Sequence, residues 1–289
     1  MQREQGDLSG ALASYQKSLA IEERLAASDA SNAEWQQFLS LSHDKVGDVQ
    51  QEQGDLSGAV ESYRKSLGTI ERLVATHASD AKWQQFLSLS HDKVGDVQQE
   101  QGDLSGALES YRNSLAIKER LAASDPSNAE WQRDLSLSHD SVGDVQIEQG
   151  NPSGALESYR QSLAIKERLA ASDPSNAKWQ RDLSLSHDSV GDVQRAQGDL
   201  AGALESFRNS LAIKEGLAAS DPSNVEWQKD LCHGYLKMGK VLMKTSPVES
   251  AAWLRKAYRQ LSEMKRRGLY LSPTSEQILQ QLHAWFSAG

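Results

Sequence analysis

The residues best suited to chemistry recur at a fixed step. His43, His91, His139 and His187 stand 48 residues apart, each followed by an aspartate. The aspartates come in pairs, Asp44/Asp48, Asp92/Asp96, Asp140/Asp144 and Asp188/Asp192. Residues at i and i+4 share a helix face. Paired carboxylates can do general acid–base work when a closed pocket perturbs one of them, and an open helix face offers no such enclosure. A histidine ladder suggests metal, but equivalent residues in successive hairpins lie two helices apart, about 16–20 Å. Ligands must sit about 2 Å from one ion, and the position four after His139 is Gly143. The histidines are therefore read as partly buried interhelix residues. The chain has no glycine-rich phosphate loop, nucleophile elbow or H-E-x-x-H. No catalytic residue, metal ligand or cofactor is assigned, and the chain is expected not to be an enzyme.

Composition narrows the partner class. The formal charge is −9 over 289 residues, which argues against nucleic acid, since phosphate binding needs a basic footprint. Residues 237–289 hold nine Lys/Arg against three Asp/Glu, a net of +6, which leaves −15 on residues 1–236. The single cysteine, Cys232, allows no intrachain disulfide. The sequence shows neither a signal peptide at its start nor a run of ~20 apolar residues, so no membrane span is expected and a cytoplasmic location is the default.

The elements that carry these residues repeat with the same step. Trp35, Trp83, Trp131, Trp179 and Trp227 are each 48 apart, as are Gly6, Gly54, Gly102, Gly150 and Gly198. Tyr15, Tyr63, Tyr111 and Tyr159 follow suit, with Phe207 completing the series. Within one unit, Ser127-Asn128-Ala129-Glu130 has the spacing of a capping box. Trp131, Leu135, Val142 and Val145 then form one helical stripe to about Gln149. The tryptophans, lying on that stripe, are read as packing against a neighbouring second helix rather than as ligand platforms. Gly150-Asn151-Pro152 marks a turn. A second helix carries Leu156, Tyr159, Leu163, Ile165 and Leu169 and ends before Pro174. Each helix is roughly 20 residues, about 30 Å. A lone hairpin cannot bury its apolar faces, so neighbours must stack into an all-α solenoid.

The stretch V-G-D-V-Q-I-E-Q-G-N-P-S-G-A-L-E-S-Y-R-Q-S-L from Val142 resembles the tetratricopeptide repeat (TPR) family. Gly143 matches the small residue of its first helix, Gly150 its turn glycine, Ala155 and Tyr159 its small-then-aromatic pair, and Ser162 a further small position. The departure is length: 48 residues in place of 34, with the first helix extended at its start (Trp131 to Ser138) and the second at its end (Lys166 to Ala171). The resemblance implies a right-handed superhelix of antiparallel hairpins over residues 1–246, whose first helices line a concave groove for a partner peptide or protein. Carried over, it places Asp44, Asp48, Asp92, Asp96, Arg133, Leu137, Asp140, Asp144, Arg181, Asp188 and Asp192 on that groove. Gln37/Leu41, Gln85/Leu89, Leu185, Ile147/Glu148 and the divergent Lys229, His233, Leu236 and Lys240 join them. An acidic groove suits a basic or extended segment; the alternative reading of these aspartates is solvated surface charge.

The ends differ from the middle. Residues 1–5 read as the last turn of a first helix, so the first unit is incomplete. Residues 247–289 read as C-terminal capping helices, one from Ser246-Pro247 to about Arg267 and one from Ser272-Pro273 to about Phe286. The first functional expectation is a protein-interaction scaffold. The alternatives are head-to-tail self-assembly of an acidic body with a basic tail, and the sensor array of a larger signalling protein.

Overall fold

The structure, a computed structural model, describes residues 7–287. These form twelve α-helices and no strand. They fall into two compact units that meet between Asn151 and Pro152. The first unit holds α1 (Leu8–Ser28), α2 (Ala33–Glu52), α3 (Leu56–Thr76), α4 (Ala81–Glu100), α5 (Leu104–Ser124) and α6 (Ala129–Glu148). The second holds α7 (Pro152–Ser172), α8 (Ala177–Ala196), α9 (Leu200–Ser220), α10 (Val225–Leu242), α11 (Pro247–Arg266) and α12 (Pro273–Ser287). Within each unit every helix packs on its chain neighbours, so each is a stack of antiparallel hairpins, the α-solenoid arrangement. Even-numbered helices up to α10 are the first helices of the repeat and odd-numbered ones the second. The expected helix remnant at residues 1–5 lies outside the described residues.

The helix boundaries follow from local chemistry. The turn glycines Gly54, Gly102, Gly150 and Gly198 all adopt positive φ, between 72° and 84°, which only glycine does without strain. Asp55, Asp103 and Asp199 then cap the second helices by accepting from the amides of Gly58, Gly106 and Gly202. The capping box read at Ser127 is displaced by one residue. Asn128 is the cap, its side-chain oxygen accepting from the amides of Glu130 and Trp131 at 3.1 Å. The Ser127 hydroxyl instead donates to Asp125 at 2.6 Å, closing a turn ahead of the helix.

The extra turns build a second apolar layer. Trp83, at the start of α4, packs with Ile70 and Leu73 near the end of α3, flanked by Phe86 and Leu87. The corresponding junctions elsewhere carry a recurring latch. The side-chain amides of Gln36, Gln132, Gln180 and Gln228 donate to the carbonyls of Ala26, Ala122, Ala170 and Ala218. Lengthening the hairpin therefore adds both apolar contact and satisfied backbone carbonyls where one hairpin meets the next.

Inside each hairpin the limit is steric. A Cβ on Gly47 would lie 2.8 Å from the Tyr63 ring, on Gly95 2.9 Å from Tyr111, and on Gly191 2.6 Å from Phe207. These rings are buried and cannot retreat. Gly191→Ala is expected to lower stability, because overpacking costs about 1–3 kcal/mol against a helix-propensity gain of about 1 kcal/mol. Gly216, with open space around its Cβ position on α9, is the opposite case, and Gly216→Ala should gain about 0.5–1 kcal/mol. Urea melts of the two variants check this; a Gly191→Ala protein as stable as wild type would remove the steric argument.

Candidate partner-binding groove

The hairpin contact that excludes a side chain at the glycine also positions the neighbouring aspartate. The Tyr63 hydroxyl donates to Asp48 at 2.8 Å and approaches Gln51 at 3.1 Å. Tyr111 repeats this with Asp96 at 2.6 Å and Gln99 at 3.0 Å. Burial, then the facing carboxylates, push both phenols far above their ordinary range, so they stay protonated and donate to the aspartates. Phe207 has no hydroxyl to offer Asp192. There Lys237 of α10 substitutes, reaching Asp192 at 2.6 Å.

The other aspartate of each pair is answered by lysine. Asp92 binds Lys118 of α5 at 2.6 Å, and Lys118 also donates to Ser138 of α6 at 2.8 Å. Asp188 binds Lys214 of α9, which is only 1% exposed. In α3 the position equivalent to Lys118 is Ile70, and Asp44 has no lysine from that helix. Lys93 of α4 takes over, 3.8 Å from Asp44 and 2.8 Å from Asp48, standing where the later repeats have Ser141 and Ser189. Burial nevertheless holds the Asp44 carboxyl above the usual carboxylate range, Lys93 opposing it. Arg181 is likewise engaged, with Asp230 at 2.6 Å and Glu226 at 3.1 Å. These lysine partners were missed in the sequence. The signal was present, since Lys118, Lys166 and Lys214 keep the 48-residue step.

Of the residues placed on the groove, the structure gathers Asp92, Asp96 and Leu137 around one slot. It lies between α4 and α6 over α5, has a volume of about 460 Å³, and is also lined by Leu89 and Trp131. Leu89 and Leu137 face solvent, 49% and 36% exposed, and Leu185 repeats the pattern on α8 at 37%. Asp96 and Asp144 are exposed on their helices, and Arg133 and Asp140 are half-buried. Asp44 and Asp188 are buried. The face of the first helices thus carries exposed leucines beside exposed Asp96 and Asp144, while Asp92 and Asp188 are each met by a lysine from the adjoining second helix.

The histidines sit at the junctions between hairpins. Burial lowers the pKa of His43, His91, His139 and His187, with Glu23, Glu71, Glu119 and Glu167 respectively opposing it. Where the fifth unit has Tyr235, its hydroxyl donates to Glu215 at 3.3 Å. Among the described residues no group of three or more His, Cys, Asp or Glu could hold a metal ion, and no helix is long and apolar enough to cross a membrane.

Two outcomes follow. Lys214→Met should cost about 3 kcal/mol by leaving Asp188 buried with only the more distant Lys237, whereas Asp188→Leu with Lys214→Met should recover most of it. Denaturant melts of both variants would show this; equal losses would mean the pair is not the cause. The histidines give a pH effect. Their folded values lie below the unfolded 6.5, so their contribution is intact above that pH and is lost as pH falls below it. Asp44, raised in the fold, acts oppositely and only nearer its own ordinary value of 3.8. Stability should therefore drop as pH falls below about 6.5, and replacing the four histidines with glutamine should flatten that drop.

No family model matches the chain, and no curated relative is found by sequence. Solved structures do match. BtubC (BKLC) from P. vanneervenii superposes with a TM-score of 0.67 at 18% identity, covering 92% of this chain and 94% of that one. The apo form of RapI gives 0.58 at 14% identity over 86% and 83%. A Podosopora anserina protein described as having nearly identical TPR-like repeats gives 0.52 at 18% over 77% and 92%. At these identities the likeness concerns the fold, and the fold of this chain is that of the tetratricopeptide-type helical repeat proteins.

Proposed function

We propose that this chain is a non-enzymatic scaffold that holds a segment of a partner protein along the faces of its first helices. The observation that supports the reading best is the slot between α4 and α6. It is preformed, large enough for a side chain, and presents exposed Leu89 and Leu137 beside Asp96. Such a face suits an extended segment in which large apolar residues alternate with Lys or Arg. The apolar residues would fill slots and the cations would meet Asp96 and Asp144. Asp92 and Asp44 contribute less to attraction, because their charge is already met by Lys118 and Lys93.

A random peptide library displayed on phage and selected against the full chain tests this. The expected class combines a large apolar residue with Lys or Arg and weakens with added salt, because exposed charges are screened. It should be lost when Leu89 and Leu137 become Gln and Asp96 and Asp144 become Asn, four changes at the exposed groove face that leave the buried ion pairs in place. Selection of no such class, or binding indifferent to these changes, would overturn the assignment.

A further inference from the structure

The last slot of the array is built like the middle one but has the opposite chemistry. A cleft of about 470 Å³ lies between α10 and α12 over α11, all within the second unit. Its lining includes Leu236, Lys240, Ile278, Leu282 and Trp285. Three repeat steps earlier, the same positions are Asp92, Asp96, Asp134, Ser138 and Ser141, and all five line the slot between α4 and α6. The correspondence of both walls shows that α12 stands to α10 as α6 stands to α4. All five of these positions have been exchanged: one aspartate for leucine, one for lysine, one for isoleucine, and two serines for leucine and tryptophan.

The exchange is not simply the closing of an end. Between α8 and α10, Lys237 spans the slot to Asp188 and Asp192. Between α10 and α12 the corresponding residue is Trp285, facing Leu236, and the space between them is left open. Trp285 remains 51% exposed and Met243, also on the lining, 53%. A cap that served only to shield the array would bury such side chains. The Lys240 side chain is exposed at the mouth and forms no ion pair or hydrogen bond with the described residues. An apolar cleft with one unanswered cation at its rim fits an apolar group carried beside an anion.

We infer that the α10–α12 slot is a second, distinct recognition site, which takes a large apolar side chain of a partner segment that is flanked by Asp or Glu, the carboxylate pairing with Lys240. The inference rests on the scaffold reading above and deepens it. The α4–α6 slot of the first unit prefers a cation and the α10–α12 slot of the second an anion, so the two sites select different partner chemistry. The unpartnered Lys240 decides in favour of an acidic segment over a basic one.

The same displayed library on the full chain separates the two readings. Expected is a further class of peptides with an aromatic or large aliphatic residue next to Asp or Glu. Lys240→Asp, which restores the residue of the earlier repeats at an exposed position, should weaken that class about tenfold. Trp285→Ser, the residue found at positions 141 and 189, should weaken it comparably. The four-residue groove variant should leave it unchanged. Absence of an acid-flanked class, or such a class insensitive to both substitutions, overturns the inference. If only the basic–apolar class emerges and is lost in the groove variant, the scaffold reading stands and this one fails; if neither class emerges, both fail. Circular dichroism melts of the two single variants confirm that loss of binding is not loss of fold.

Discussion

In the α2–α3, α4–α5 and α8–α9 hairpins, a missing side chain on one helix admits an aromatic ring from the other. With glycine at positions 47, 95 and 191, the ring of Tyr63, Tyr111 or Phe207 lies where a Cβ would be. This brings the two backbones close along the middle of the hairpin. It buries Ala59, Ala107 and Ala203 one turn earlier on the second helix, and it aims the tyrosine hydroxyl at the outer aspartate of the first helix. Packing and site geometry therefore share one cause. A larger residue at the glycine would separate the helices and also release Asp48 or Asp96 from its donor.

Charge obeys a stricter rule than the sequence suggests. Four aspartate pairs on one face imply a strongly negative groove. A carboxylate that becomes half-buried between helices, however, must be met or must give up its charge. The repeat meets it with a lysine from the adjoining second helix, and where that lysine is Ile70 the next first helix supplies Lys93. Asp188 is met from both helices at once, by Lys214 of the second helix and Lys237 of the next first helix, so an inner aspartate can draw its cation from either element. The outer Asp48 and Asp192 are themselves reached by Lys93 and Lys237, so the groove face proposed for a partner is set chiefly by Asp96 and the exposed leucines.

The fold was legible because its signals are local and periodic. The 48-residue step, the glycine turns, the apolar stripes and the proline stops place ten of the helices, and Pro247 and Pro273 begin the last two as expected. What escaped was relational. That Asn128 rather than Ser127 caps α6 depends on a turn closed by Asp125, and two adjacent polar residues look equivalent in sequence. The lysine partners lie 26 or 45 residues from their aspartates. Only the packing angle of the helices brings them together. Leu236 and Lys240 were visible as a break in the aspartate series, but the residues that turn the break into a cleft, Ile278, Leu282 and Trp285, belong to a helix with no resemblance to the repeat.

That last helix shows how a repeat array acquires asymmetry at little cost. The geometry of a slot is set by helix spacing and by the packing of the helix beneath it, so its wall residues can change without disturbing the stack. In α11 the small-residue contact survives in altered form: Gly239 now faces Leu254, and the Ser250 hydroxyl donates to the Gly239 carbonyl at 2.7 Å. Where Asp188 stands in the preceding repeat, α10 has Leu236, which shares one core cluster with Leu261 of α11. Removing a buried ion pair in favour of leucines is energetically tolerable, and it relieves the slot above of any need for a bridging lysine. Lys240 stands where the repeats carry the outer aspartate, so at this exposed position the charge is inverted while the core beneath is apolar.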